Sequence, residues 1–109
     1  MGILQKVAVA ALLAMPAIAL AEDVGDPQAG HKYAQKVCAE CHAVEQGEKL
    51  SPYLDLPSFQ AVADSPGITE RALAVWLTNP HPNMPDFIIP QADMGNVIAY
   101  IMSLHSASH

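Results

Sequence analysis

A chain of 109 residues leaves room for one domain, and its five basic residues against eleven acidic ones give a formal charge of −6. That balance argues against a nucleic-acid partner, because phosphate binding depends on clustered Lys and Arg. Partners with basic surfaces suit it better.

The chain begins with "MGILQKVAVAALLAMPAIALAED". Lys6 precedes an apolar run from Val7 to Leu20, and Ala19-Leu20-Ala21 has the small-x-small form of a signal peptidase site. The run is shorter than the roughly 20 apolar residues a membrane span needs, and Pro16 interrupts it. The expectation is a leader over residues 1–21 that is removed, and a domain over 22–109 that is exported. Four basic residues then remain against eleven acidic ones, a formal charge of −7. A domain of this size, poor in large apolar residues and aromatics, has a marginal core that a metal, disulfide or cofactor often completes.

The pattern along that domain is helical, with no useful strand-like alternation. In "GDPQAGHKYAQKVCAE", Asp26 suits an N-cap and Pro27 the first helical position. The middle section holds turn residues at Gly47, Pro52, Pro57 and Pro66-Gly67, with room for a short helix from Ser58 to Asp64. Thr69 caps a third helix, with Ile68 and Leu73 as a hydrophobic staple and Ala72, Leu73, Trp76 and Leu77 on one face. Pro80 stops it, and a proline-rich loop, "NPHPNMPDFIIP", follows. A last helix is expected from about Gln91 to His105, with Met94, Val97, Ile98, Ile101 and His105 in register.

The two cysteines stand in "VCAECHAVEQG", with His42 directly after the second. A thioredoxin-like redox pair would need a β-α-β context, which the chain lacks. Structural zinc would need a second ligand pair, and the later histidines His81, His105 and His109 do not supply one. The third reading is covalent haem. In C-x-x-C-H both thiols add to the porphyrin's vinyl groups and the adjacent imidazole reaches the iron.

A haem would call for a second axial ligand downstream. Met94 and Met102 lie on the last helix, where core packing explains them. His105 and His109 are close to the terminus, and His31 sits on the first helix, a poor route to the far face. Met84 stands in "PHPNMPDF", between Pro82 and Pro85, on a segment stiffened without helix or sheet bonds. Such stiffness lowers the entropic cost of presenting a thioether at a fixed point. His81 is the rival, and would give a bis-histidine iron.

With "CAECH" near the start, "LPSF" in the middle, "WLTNPHPNMPDF" later and "NVIAYIMSL" near the end, the chain resembles the class I c-type cytochromes, most of all the small monohaem periplasmic forms of bacteria. The resemblance spans Asp26 to Leu104. It implies an all-α, cytochrome c-like fold of three to four helices around one haem c, with the first and last helices crossing. It implies thioethers at Cys38 and Cys41, His42 as proximal and Met84 as distal ligand, and a proline carbonyl accepting the His42 Nδ1–H, with Pro57 the better match and Pro52 the alternative. Gly30, Tyr33 and Tyr100 match the family's helix crossing. Trp76 would reach toward the haem edge or a propionate, or simply pack in the core.

Iron saturated by an imidazole and a thioether suits outer-sphere transfer of one electron. The expectation is therefore a monomeric periplasmic electron carrier rather than an enzyme, meeting redox proteins as donor and acceptor, with no stable membrane insertion. The alternatives are a haem-c subunit of a periplasmic oxidoreductase, and a haem enzyme or sensor with a displaceable distal ligand. Many mitochondrial relatives are strongly basic and this chain is acidic, so their docking partners do not carry over.

Overall fold

The computed structural model describes residues 25–79, 84 and 88–106. The expected leader, the proposed stop at Pro80, and His81 and His109 lie outside them.

Four α-helices form in chain order: α1 Pro27–Tyr33, α2 Phe59–Ala63, α3 Glu70–Thr78 and α4 Gln91–Ser103, with no strand among the described residues. Each of the first three starts where its sequence supplies a side-chain oxygen for the orphan N–H groups of a first turn. Asp26 accepts from the Gln28 N–H, Ser58 from Ala61 and Thr69 from Ala72. Pro27 takes the first position of α1, where its missing N–H costs nothing.

The first helix does not run on as a regular α-helix to Glu40. From Ala34 to Cys38 it widens into a π-helical turn, with the Ala39 N–H bonded to the Ala34 carbonyl at 2.9 Å. The wider turn changes the face on which the following residues emerge, and such turns recur at functional sites. Here it delivers the chain directly into the cysteine motif.

On α3, Leu73 is buried and Ala74 and Leu77 are half-buried, while Ala72 faces solvent. The expected face was thus displaced: Ala74 packs against the core in place of Ala72. Ile68, the other half of the staple, also packs against the core. The last helix ends at Ser103, two residues short of the expected His105. His105 instead folds back, its Nδ1–H donating to the Ala63 carbonyl at 2.9 Å.

The core is built on the crossing of α1 and α4, with Val97, Ile98, Tyr100 and Ile101 of α4 buried in it. A Cβ on Gly30 would overlap the Asn96 carbonyl and come within 2.9 Å of the Tyr100 Cβ. Gly25 is in the same situation against Gly95 of α4. Only hydrogen fits at either place. The Asn96 side chain then closes the contact, its Oδ1 accepting the Asp26 N–H at 2.8 Å. Tyr33 packs against the edge of this core, as expected of its position.

Candidate functional site

The crossing leaves one side of α4 facing a cavity of about 480 Å³, within the range of roughly 300–1,000 Å³ usual for small-molecule and cofactor sites. Val37 and the cysteine motif form one wall. The loop before α2, with Leu56 and Pro57, and the first residue of α2, Phe59, form another. Leu73, Trp76 and Leu77 come from α3, Val97 and Ile101 from α4, and Met84 and Ile89 from the segment between them. The lining is largely apolar, and its charged members are the acids Glu40 and Asp55.

Cys38, Cys41 and His42 all line this cavity. The turn that carries them is closed by the Cys41 and His42 N–H groups, which both bond to the Cys38 carbonyl, at 3.2 and 3.0 Å. The cysteines are not paired with each other. Burial pushes the Cys38 thiol up to about 11, the reverse of the lowered value a nucleophilic or redox-active thiolate requires. Among the described residues no three His, Cys, Asp or Glu side chains converge to hold a metal ion.

The His42 ring donates its Nδ1–H to the Pro57 carbonyl at 2.7 Å. Pro57 therefore makes this bond, not Pro52. With Nδ1 protonated, the lone pair of a neutral imidazole resides on Nε2, the atom left for a ligand. The tilted contact of the His42 ring with Phe59, 5.7 Å between centroids, further limits its orientation.

Of the described candidates for a second ligand, Met84 alone lines the cavity, and it is half-buried there. Met94 and Met102 pack against the core. His31 is directed elsewhere: its ring stacks on Tyr100, 4.4 Å between centroids and 7° between planes, and its Nε2–H donates to Glu45 at 2.8 Å. His105 is engaged with Ala63. Trp76 lies on the cavity wall and is 60 % exposed.

Sequence reasoning missed several members of this arrangement. Ser51 is buried and accepts the Ala43 N–H at 2.9 Å, yet a serine before a proline in a polar loop carries no signal of that role. Glu40 and Asp55 were not singled out as cavity residues. Tyr100 was assigned to the helix crossing, but its hydroxyl also donates to the Val44 carbonyl at 2.6 Å, tying α4 to the chain just beyond the motif. Burial, followed by the nearby Glu45 and Glu48, pushes that phenol up to about 12, so it remains a donor at ordinary pH.

Two thiols and an imidazole on one wall, a thioether on the lining and a mostly apolar interior are the donor set and enclosure that a covalently held haem requires. Comparison with known proteins agrees. A family described as "Cytochrome C oxidase, cbb3-type, subunit III" matches residues 25–101. Cytochrome c-552 of Bradyrhizobium diazoefficiens is 41% identical over 86 residues, covering 79% of this chain and 79% of its own length. No solved structure matches the chain. The chain belongs to the c-type cytochromes, as a small class I member, a helical electron carrier built around haem c.

Proposed function

We propose that Cys38 and Cys41 bind the haem through thioethers, that His42 and Met84 are its axial ligands, and that the protein is a periplasmic one-electron shuttle rather than an enzyme. The observation that carries this reading is that His42 and Met84 line the same apolar cavity, with the His42 Nδ1–H already taken by Pro57. The haem supplies an Fe(III)/Fe(II) couple. His42 contributes a nitrogen whose tautomer and direction are set by the Pro57 carbonyl. Met84 contributes a soft sulfur, which favours the ferrous state, and the apolar lining around it does the same by disfavouring the extra charge of the ferric centre. Both effects raise the potential, and a saturated iron offers no place for a substrate.

Redox proteins are the partners of such a carrier. Glu40 and Asp55 are the charged groups of the lining and Trp76 is an exposed aromatic of the same lining, which supports docking surfaces that are basic around an apolar centre. Contacts of this kind are small and transient, and a monomer suits them. The proposed removal of residues 1–21 places the carrier in the periplasm. No helix among the described residues is long and apolar enough to cross a membrane.

The test combines a pyridine haemochrome spectrum and the intact mass of the exported protein with the Met84→Ala variant. One covalent haem on a chain starting at Glu22 is expected, and Met84→Ala should lose the weak far-red iron–sulfur band and bind carbon monoxide. An unchanged band removes Met84 as ligand. Rapid carbon monoxide binding by the reduced wild-type protein at neutral pH would replace the carrier with an enzyme or sensor. A second reading, a permanent subunit of an oxidoreductase, is favoured by the oxidase-subunit description of the matching family. Size-exclusion of the native material separates the two.

A further inference from the structure

The chain buries two polar side chains among the described residues, Ser51 and Ser58, each 3% exposed. They bracket the segment that carries the Pro57 carbonyl. The Ser58 hydroxyl caps α2. Ser51 has no helix to cap.

What Ser51 does instead is hold the residue next to His42. Its Oγ accepts the Ala43 N–H at 2.9 Å in a buried bond. The Ala43 carbonyl in turn accepts the Phe59 N–H at 2.8 Å. One residue, 5% exposed and directly following His42, thus grips the loop at both ends, through Ser51 before Pro57 and Phe59 after it. Between these clamps the loop has a turn of its own, closed by the Leu56 N–H on the Tyr53 carbonyl at 3.0 Å, and the His42 bond to Pro57. Tyr53 and Leu54 are 58% and 75% exposed, and a further tie, from the Tyr53 N–H to the Cys41 carbonyl, is long at 3.4 Å. The position of the Pro57 carbonyl against the imidazole therefore depends on the two clamps at Ala43.

The geometry points to Ser51 as a positioning residue for His42: by fixing the loop to Ala43 it sets the strength of the Nδ1–H···O bond to Pro57. The inference rests on His42 being the proximal ligand. A hydrogen bond from the distal ring nitrogen raises the basicity of a ligating imidazole. A more basic ligand stabilises the ferric state, so a firmly held Pro57 carbonyl lowers the potential and a loosened one raises it.

The test uses the holoprotein with Ser51→Ala and Ser51→Thr. Ser51→Ala should shift the midpoint potential upward and speed solvent exchange of the His42 Nδ1–H and the Ala43 N–H, the latter by roughly ten-fold for the loss of a buried bond. Ser51→Thr, which keeps the hydroxyl, should restore both. A Ser51→Ala protein that melts earlier but keeps the wild-type potential and His42 ring shifts overturns the inference, leaving Ser51 a merely structural residue. Should that variant fail to accumulate, the wild-type protein still decides. The opening free energies of its Ala43 N–H and His42 Nδ1–H, each referred to that group's own intrinsic exchange rate, should fall together with added denaturant, and openings that respond independently overturn the shared clamp. Large hyperfine shifts of the His42 ring protons in the ferric wild type report ligation separately, so failure of that reading is distinguishable from failure of this one.

Discussion

The two sides of α4 are built on opposite terms. Toward α1, Gly30 and Gly25 bring backbone onto backbone, and the Asn96 carbonyl and Gly95 occupy the space where side chains would otherwise stand. Toward the cavity, Val97 and Ile101 face an interior of about 480 Å³ across from Leu73 and Leu77. The crossing is specified by atoms the sequence leaves out, whereas the cavity is specified by apolar side chains grouped around a space too large for them to fill. The first region draws its stability from the polypeptide alone. The second draws on whatever binds there, since a group held by the folded state and not by the unfolded one adds its binding free energy to folding.

The sharpest way to break that contrast is Gly30→Ala. The added methyl group meets backbone, which cannot yield as a flexible side chain would, so the helices must separate. A loss of about 3 kcal/mol is expected, at the upper end of what overpacking costs, read by denaturant unfolding. Gly67→Ala gives the scale: there φ is +78° with nothing within 4 Å, so only backbone strain of about 1 kcal/mol applies. Because the crossing and the cavity use different faces of α4, Gly30→Ala should leave the far-red band in place until the protein unfolds. A band lost at full folding would show the two regions to be one.

Tyr100 tests the boundary between them. Its ring stacks on His31 on one side and lies 6.4 Å from Phe59 on the other, and its hydroxyl reaches Val44, two residues past His42. Tyr100→Phe preserves the ring and removes the bond, leaving a buried carbonyl short of a donor. About 1–2 kcal/mol should be lost in equilibrium unfolding. No measurable loss would mean that the 2.6 Å bond contributes nothing to holding α4 against the motif.

What the sequence revealed follows the same division. Caps are local chemistry, so Asp26, Ser58 and Thr69 could be read as helix starts from two or three neighbouring residues. The cysteine motif was equally legible, because the spacing of its thiols and imidazole is itself the chemical requirement. Gly30 stood out through its match to the family's helix crossing, but Gly25 and Gly95, which no such pattern marks, did not, since their close approach spans the fold. The π-helical turn at Ala34–Cys38 was invisible for a different reason: no residue in "AQKVC" breaks or widens a helix by its own propensity. Ser51 and the pairing of Tyr100 with Val44 are contacts between segments distant in sequence, and periodicity says nothing about them. The displaced face of α3 shows the limit of periodicity itself. Ala72 and Ala74 are equally small and apolar, and only the direction from which the core approaches distinguishes them.

The smallest expected effect concerns the surface beside the crossing. Glu45 accepts hydrogen bonds from the Gln35 side chain and from His31, both at 2.8 Å, and these hold its carboxyl below the usual carboxylate range, the Gln35 bond first, then the His31 bond, with the His31 charge adding to it. A carboxyl whose value falls on folding adds stability that is fully present above the unfolded value of about 4.3 and is lost as pH falls through the lower folded value. The side chain is 43% exposed, so solvent screening limits the gain to about 0.5 kcal/mol. Glu45→Gln should therefore flatten a shallow decline in stability below about pH 4 and change little at neutral pH, as followed by thermal unfolding across that range. Salt separates the two partners. An amide donor carries no net charge, so the part due to Gln35 should survive high salt, whereas the part due to the His31 charge should fade. Full loss in salt would assign the contact to charge alone, and would place His31, rather than Gln35, in control of how α1 meets the chain beyond the motif.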